Sequence, residues 1–204
     1  MSIVKYNNNS ISDVTSGASL SSGAMTLIKE VTASSSATVS FIHGTSDVVL
    51  DSTYPIYVFK FISAHPQTDD KNLTFSFTSD GTNFDVTIVC TAFGADHTEA
   101  GSGSMEYKAG NDPDSAGIQS IGASTGADND QASSGQLTLF DPSSTTFVKH
   151  YMSRSSQARH SDAAQDFFTA GYCNTTSAIT GIRFKFQSGN IDSGTFKLYG
   201  IKDS

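Results

Sequence analysis

The chain has 204 residues, of which 37% are hydrophobic and only 16% are charged, and its formal net charge is −8 at pH 7. This length fits one all-β domain, and the scarcity of helix-forming charged residues argues against amphipathic helices. Binding to nucleic-acid phosphates needs clustered Lys and Arg, which an acidic chain of this kind lacks. The composition therefore predicts a protein of strands and turns that does not bind nucleic acid by itself.

The N-terminal sequence, SIVKYNNNSISD after Met1, lacks the charged start, apolar run and cleavage site of a signal peptide. No stretch of about 18 apolar residues is present to span a bilayer, so no membrane insertion is expected. We therefore expect a chain made in the cytoplasm. Residues 1–23 are rich in Ser, Asn and Gly, and we interpret them as an extended attachment arm. A single domain is predicted over residues 24–204.

Alternating apolar and polar residues predict strands at residues 25–32, 37–43, 54–62 and 73–78. The third of these is the most aromatic, which places it centrally in a sheet. Residues 48–50 are predicted as a short edge piece. Asp80-Gly81 supplies the positive φ of a tight turn, which predicts a hairpin that joins residues 73–78 to a strand over residues 83–90.

Hydrophobic residues become rare between Gly94 and Gly135. We predict a long polar loop insertion over residues 94–135, because compact domains seldom leave such a length structureless without a functional reason. Strands resume at residues 136–140 and 145–151. A polar passage follows at residues 152–165, in which SDAAQDFF favours one or two helical turns.

The last segment, residues 179–202, holds two strictly alternating strands around a glycine-containing turn, which predicts a closing hairpin. The residues expected to face the core are Ile182, Phe184, Phe186, Phe196, Leu198 and Gly200. About nine or ten short strands, without a helix long enough for a parallel crossover, indicate an all-β fold. We predict an antiparallel β-sandwich that is jelly-roll-like, in which the first and last strands pair.

The string GASTG at residues 122–126 satisfies the G-x-S-x-G pattern, in which a strained turn between a strand and a helix exposes a nucleophilic serine. No apolar strand precedes Ser124 and no helix follows it, so we interpret the match as chance. The turn SDGTNF at residues 79–84 is similar to a sialidase Asp-box, but it is short and occurs once. We interpret it as a hairpin turn and predict no catalytic residue.

The five histidines show no HxH or HExxH spacing and the two cysteines show no CxxC spacing, so no zinc site is predicted. Without a secretory route, Cys90 and Cys173 are expected to be free thiols. Acidic clusters at residues 69–70, 112–114 and 128–130 offer oxygen ligands for calcium, but none has the order of an EF-hand loop. Solvated turns explain them equally well, and no cofactor is predicted.

Sugar-binding platforms usually stack Trp or Tyr rings on sugar faces, and this chain has no Trp. Tyr107, Tyr151 and Tyr172 remain as candidate glycan contacts. The alternative is that these tyrosines lie at strand ends with their hydroxyl groups at the surface.

Several stretches together resemble a group of tailed-bacteriophage virion proteins, many of them from marine phages. They are YVFKFI at residues 57–62, HPQTD at 65–69, LTFSFTSDGTNFDVT at 73–87, HYMSRSS from His150, GYCNTTSAITGIRFKF from Gly171 and the closing pattern SGNI-x-SGT-x-K-LYG. The resemblance covers residues 54–87 and 150–202.

This resemblance implies a sandwich on a virus particle, in a tail fibre, a capsid fibre or a capsid decoration protein. It implies other virion proteins as partners, with a homotrimer as one form of assembly, and no catalytic residues. The alternative function is a glycan-binding module that recognises the host surface.

Overall fold

The computed structural model describes residues 24–111 and 115–202, so the predicted arm at residues 1–23 lies outside the described residues. The described part is built of strands, with one 3₁₀ turn at Ala109–Asn111. Its strands are β1 (Met25–Ser36), β2 (Val39–Ile42), β3 (Ile56–Pro66), β4 (Leu73–Thr78), β5 (Thr87–Thr98), β6 (Gly103–Tyr107), β7 (Ser115–Ala116), β8 (Gln119–Ser120), β9 (Ser133–Phe140), β10 (Lys149–Arg159), β11 (Ala163–Cys173), β12 (Gly181–Phe186) and β13 (Ile191–Ile201).

The strands form two antiparallel sheets, which confirms the predicted all-β sandwich. The small sheet has the order β2-β12-β4-β8, and the large sheet has the order β1-β13-β3-β9-β10-β11-β5-β6, with β7 beside β5. The eight strands β1, β2, β3, β4, β8, β9, β12 and β13 are paired and connected as in a jelly roll. The first and last strands pair as predicted, with Met25 opposite Ile201.

Aromatic side chains fill the space between the small sheet and the half of the large sheet that it covers. Phe184 of β12 is fully buried, and its ring centroid lies 6.0 Å from that of Phe59 on β3 and 5.5 Å from that of Phe196 on β13. Phe41 on β2 and Phe61 on β3 lie 6.5 Å from the same ring. The predicted alternation is confirmed here, because these rings come from the inward positions of their strands.

Both predicted hairpins are wrong in their pairing. The closing strands β12 and β13 lie in different sheets, and so do β4 and β5. The glycine turns are real, with φ of +75° at Gly189 and +77° at Gly81, but they carry the chain from one sheet to the other. Alternation tells which side chains face the core, whereas it does not tell which strand lies beside which.

The polar passage at residues 152–165 is not a loop with a helical turn, because it contains most of a long hairpin. β10 and β11 pair from Lys149–Cys173 to Arg159–Ala163, and Asp162 closes the turn with a φ of +52°. The period-2 pattern is present, but inward positions such as Ser153, Ser155 and Gln157 are polar. A search for alternating hydrophobic residues therefore misses these strands. Residues 48–50 and 145–148 also lie outside the strands.

The strands β10, β11, β5 and β6 extend the large sheet beyond the small one. Residues 119–131 cover the inner face of β10, β11 and β5. The prediction of a loop over residues 94–135 is wrong in part, because this segment contains the end of β5, all of β6, β7 and β8, and the start of β9. Gln157 Nε2 donates to the Ala123 carbonyl oxygen at 2.8 Å, and Thr169 Oγ1 donates to the Ser120 carbonyl oxygen at 3.2 Å. We call the buried inward side chains Ser155, Gln157, Gln165 and Thr169 the polar layer. This layer holds the insertion against the sheet.

Candidate functional site

The three tyrosines predicted as glycan contacts do not converge. Tyr151 is buried at an inward position of β10, with its ring against Phe75 at 5.2 Å and Phe77 at 5.7 Å. Burial raises the pKa of its phenol far above the ordinary value. Tyr151 is therefore a core residue, and its prediction as a surface glycan contact is wrong. The inward positions of β10 that follow Tyr151 are polar, so the sequence does not indicate which of its side chains face the core.

Tyr107 and Tyr172 lie on the outer face of the large sheet, on the side away from the small sheet. Tyr107 is 56% exposed on β6, and Tyr172 on β11 lies beside His150. Strand β5 lies between β11 and β6. Tyr172 stands opposite Val89 of β5 and Tyr107 stands opposite Phe93, four residues further along, which places the two tyrosines about 17 Å from each other. They cannot line one small sugar subsite together.

An aromatic row on the same outer face was missed by the sequence prediction. Arg154, Phe168, Phe93 and Tyr107 stand opposite one another on four neighbouring strands. The rings of Phe93 and Phe168 are parallel, with centroids 4.8 Å apart and an angle of 7° between them. The Arg154 guanidinium lies 4.8 Å from the centroid of Phe168, and it forms a 2.7 Å ion pair with Asp166.

The Phe168 ring is a poor sugar platform, because a sugar needs an open ring face on which to stack. Phe93 covers one side of the Phe168 ring, and the Arg154 guanidinium occupies the region over the same ring. The edge of the Phe168 ring is the part left for contact with another molecule. Edges of stacked rings suit apolar packing against a protein surface.

Apolar side chains are also frequent in the neighbouring row of the outer face, whereas the row of Arg154 continues through Lys60 and Lys197 as a charged one. The next row in register joins Leu27, Tyr199, Val58, Thr138, Met152 and Ala170. Leu27 is 48% exposed and Met152 is 59% exposed. Beside Met152 lies a depression of about 380 Å³, with Phe93, Phe140 and Phe168 in its lining. We call this surface, from β1 to β5, the outer apolar face.

Strand β3 explains why this face is unusual. Its outward residues Ile56, Val58 and Ile62 are apolar, although its inward residues Tyr57 and Phe59 already fill the core. A run that is apolar on both sides is typical of strands that are covered on both faces. Within residues 24–111 and 115–202, a second layer covers only the inner face of β3, so the outer face is suited to a partner.

The outer face of the small sheet is polar by comparison. Thr74 and Ser76 of β4 stand opposite Lys185 and Arg183 of β12. Phe84 covers Arg183, with the guanidinium 4.4 Å from the centroid of its ring. The two outer faces of the sandwich thus differ in chemistry, and the large sheet carries the apolar one.

A polar cleft of about 640 Å³ lies at the tip of the β10–β11 hairpin, with Glu99, Asp128, Asp130 and Asp162 in its lining. Within residues 24–111 and 115–202, no group of three His, Cys, Asp or Glu side chains is placed to hold a metal ion. Among the predicted acidic clusters, residues 112–114 lie outside the described residues. Asp69 Oδ1 accepts a hydrogen bond from the Ala127 amide at 3.0 Å, which links two loops that are far apart in sequence.

Asp96 links the polar layer to two cations. It lies 2.9 Å from Lys108 Nζ and 3.3 Å from Arg159 Nη1, and Gln165 Nε2 donates to it. Burial raises the pKa of Asp96, but the hydrogen bonds from Lys108 and Gln165 and the two positive charges outweigh it. The net pKa is lowered from 3.8.

We predict that Asp96→Asn lowers the free energy of unfolding most at neutral pH. A carboxylate with a lowered folded pKa stabilises the fold above its unfolded pKa, and this contribution is lost as the pH falls through the folded pKa. The difference between wild type and variant should be constant above about pH 5 and shrink below about pH 4. Urea unfolding at a series of pH values measures it, and an unchanged difference at about pH 2 would contradict the prediction.

Close packing explains the two glycines of the GASTG string at residues 122–126. A Cβ at Gly122 would lie 2.3 Å from Gln157 Oε1, and one at Gly126 would lie 3.0 Å from the His160 Cα. Ser124 has a φ of +59°, but it follows the two-residue strand β8 and no helix comes after it. Among the described residues, no hydrogen bond joins its hydroxyl to His160, whose ring lies 3.4 Å from Asp70.

Neither Cys90 nor Cys173 forms a disulfide bond, as predicted. Cys173 is buried at the end of β11, and burial raises the pKa of its thiol to about 12. It stays protonated at neutral pH, so it is a poor nucleophile.

The fold is a jelly-roll sandwich, and its outer apolar face is a surface suited to docking. In comparisons with protein-family models, curated proteins and solved structures, the chain has no match. In the part of the chain that the structure describes, no helix is long and apolar enough to cross a membrane.

Proposed function

We propose that the chain is a non-enzymatic structural subunit of a tailed-bacteriophage particle, in a tail fibre, a capsid fibre or a capsid decoration layer. Other virion proteins are its partners, and the virion is its location. The resemblance of residues 54–87 and 150–202 to phage virion proteins supports the virion part of the proposal. The outer apolar face supports the structural part.

The observation that carries the proposal is the exposure of Leu27, Phe93 and Met152 on one side of one sheet. Single exposed apolar residues are ordinary, whereas several of them on one sheet face mark an interaction site. A sheet face about 29 Å wide also suits a flat neighbour better than a small ligand. A subunit of a particle would bury such a face against its neighbour.

Mass spectrometry of purified particles of the phage that encodes the chain tests this function. We expect peptides from residues 24–202 at many copies per particle, retained through density-gradient purification. A chain found only in the lysate and missing from the particles would contradict the proposal.

A second candidate function is a glycan-binding module for the host surface. It is favoured by Tyr107, which is 56% exposed, and by Phe93, which is 42% exposed and stands opposite it. Binding to an array of host glycans, abolished by Tyr107→Ala but kept by Phe147→Ala, would support it. Phe147 is a matched control because its ring is 70% exposed and lies in a loop outside the strands.

We also expect Ser124→Ala to leave every measured property of the protein unchanged. Wild type and variant should release no product from acetylated or glycosidic substrates derived from host cells. Loss of a wild-type hydrolytic activity in Ser124→Ala would contradict the non-enzymatic proposal.

A further inference from the structure

We propose that the partner on the outer apolar face is a second copy of this chain, packed face to face about a two-fold axis. The inference rests on the proposed structural function and names the neighbour that function requires. It follows from three properties of the face: its shape, its charge and its area.

The shape allows self-association because exposed apolar side chains lie at one side of the face and a depression lies at the other. At the β1 edge, Met25 and Leu27 are 38% and 48% exposed. The 380 Å³ depression lies at the other side, among β9, β10, β11 and β5. The two features are about 22 Å apart across the sheet. A two-fold axis between them places Leu27 of each copy at the depression of the other.

The charge of the face allows like copies to meet. The whole chain carries a net charge of −8, so two copies repel each other at long range. On this face the acids are paired: Glu30 lies 2.9 Å from Lys197, and Asp166 lies 2.7 Å from Arg154. Lys60 adds a further positive charge in the same row, and the axis passes close to β3, so the two copies of this lysine come near each other. Because cations neutralise the acids of this face, the negative charge that repels two copies at long range is not concentrated where the faces meet.

The area is sufficient for a specific dimer. Six inter-strand spacings and three rows of side chains give a face of about 29 by 20 Å, or about 600 Å² on each copy. Two copies would bury about 1,200 Å², which is at the lower end of the range for stable complexes. We therefore expect a dimer that dissociates on dilution.

Sedimentation equilibrium of the full chain between about 1 and 200 µM tests the proposal. Wild type should shift from one copy to two, and more salt should favour the dimer because it screens the repulsion between acidic copies. Leu27→Lys should weaken dimerisation by about 100-fold, because a lysine would replace the apolar contact at the depression. Ile118→Lys is the matched control, since Ile118 is 41% exposed and lies outside the strands of this face.

A charge pair tests the two-fold arrangement itself. Thr138 lines the depression, so Thr138→Glu alone should also give a monomer. The double variant Leu27→Lys with Thr138→Glu should recover the dimer, because each lysine would meet the glutamate of the other copy. Circular dichroism and thermal unfolding of each variant would show that the fold is retained.

A wild-type chain that stays monomeric at the highest concentration, or one with the mass of three copies, would overturn the two-fold proposal. Failure of the double variant to recover the dimer would overturn it as well. None of these results bears on the presence of the chain in particles, which mass spectrometry measures separately. A monomer found in particles would mean that another virion protein covers the face.

Discussion

Phe184→Ala is expected to lower the free energy of unfolding by about 4 kcal/mol, since truncation of a buried Phe removes its packing and leaves a cavity. Phe184 is fully buried, and four aromatic rings from β2, β3 and β13 surround it. The cavity would open where the small sheet meets the large one. A loss of this size is a large share of the 5 to 15 kcal/mol that is typical of a domain.

Urea denaturation measured by circular dichroism checks this value. Phe147→Ala is the control, because its ring is 70% exposed and its removal should cost less than about 0.5 kcal/mol. Phe184→Leu should cost much less than Phe184→Ala, because it keeps most of the volume. Equal losses in the two alanine variants would mean that the ring cluster is not the centre of the core.

Lys149→Ala is expected to lower the free energy of unfolding by about 3 kcal/mol. Lys149 is only 1% exposed, and burial lowers the pKa of its ammonium group. Its Nζ donates to the carbonyl oxygens of Ser144, Phe147 and Thr175 at 3.1 to 3.3 Å. Removal of the ammonium group leaves these three acceptors without their donor and loosens two loops at once.

Hydrogen exchange separates this effect from a general loss of stability. Amides of residues 141–148 and 174–179 should exchange faster in Lys149→Ala, while the amides of β3 and β13 change less. Lys202→Ala is the control because its side chain is exposed. Uniformly faster exchange over the whole chain would contradict a local role for Lys149.

The sequence was a good guide where apolar and polar residues alternate. The side chains of β3, β4 and β12 that face the core could be predicted, because on each strand apolar residues such as Phe59, Phe75 and Phe184 recur at every second position. Strand partners could not be predicted, because the same glycine turn serves a hairpin and a crossing between two sheets. The jelly-roll order became clear only when the pairing of β13 with β1 and β3 was known.

The site was harder to predict than the fold. Tyr151 was misplaced because the polar residues Ser153 and Ser155 conceal the inward side of β10. Phe93 and Phe168 were missed because they are far apart in sequence and meet only when β5 pairs with β11. One signal was available: the nearly unbroken apolar run of β3, which indicates a strand covered on both faces.

The central claim is that the outer apolar face is the docking surface of a virion subunit. A cryo-electron microscopy reconstruction of the phage particle tests it most directly. The account predicts jelly-roll density in which the large sheet, at Leu27, Phe93 and Met152, lies against a neighbouring subunit. Density in which that face is open to solvent, while the polar face of the small sheet makes the contact, would contradict it.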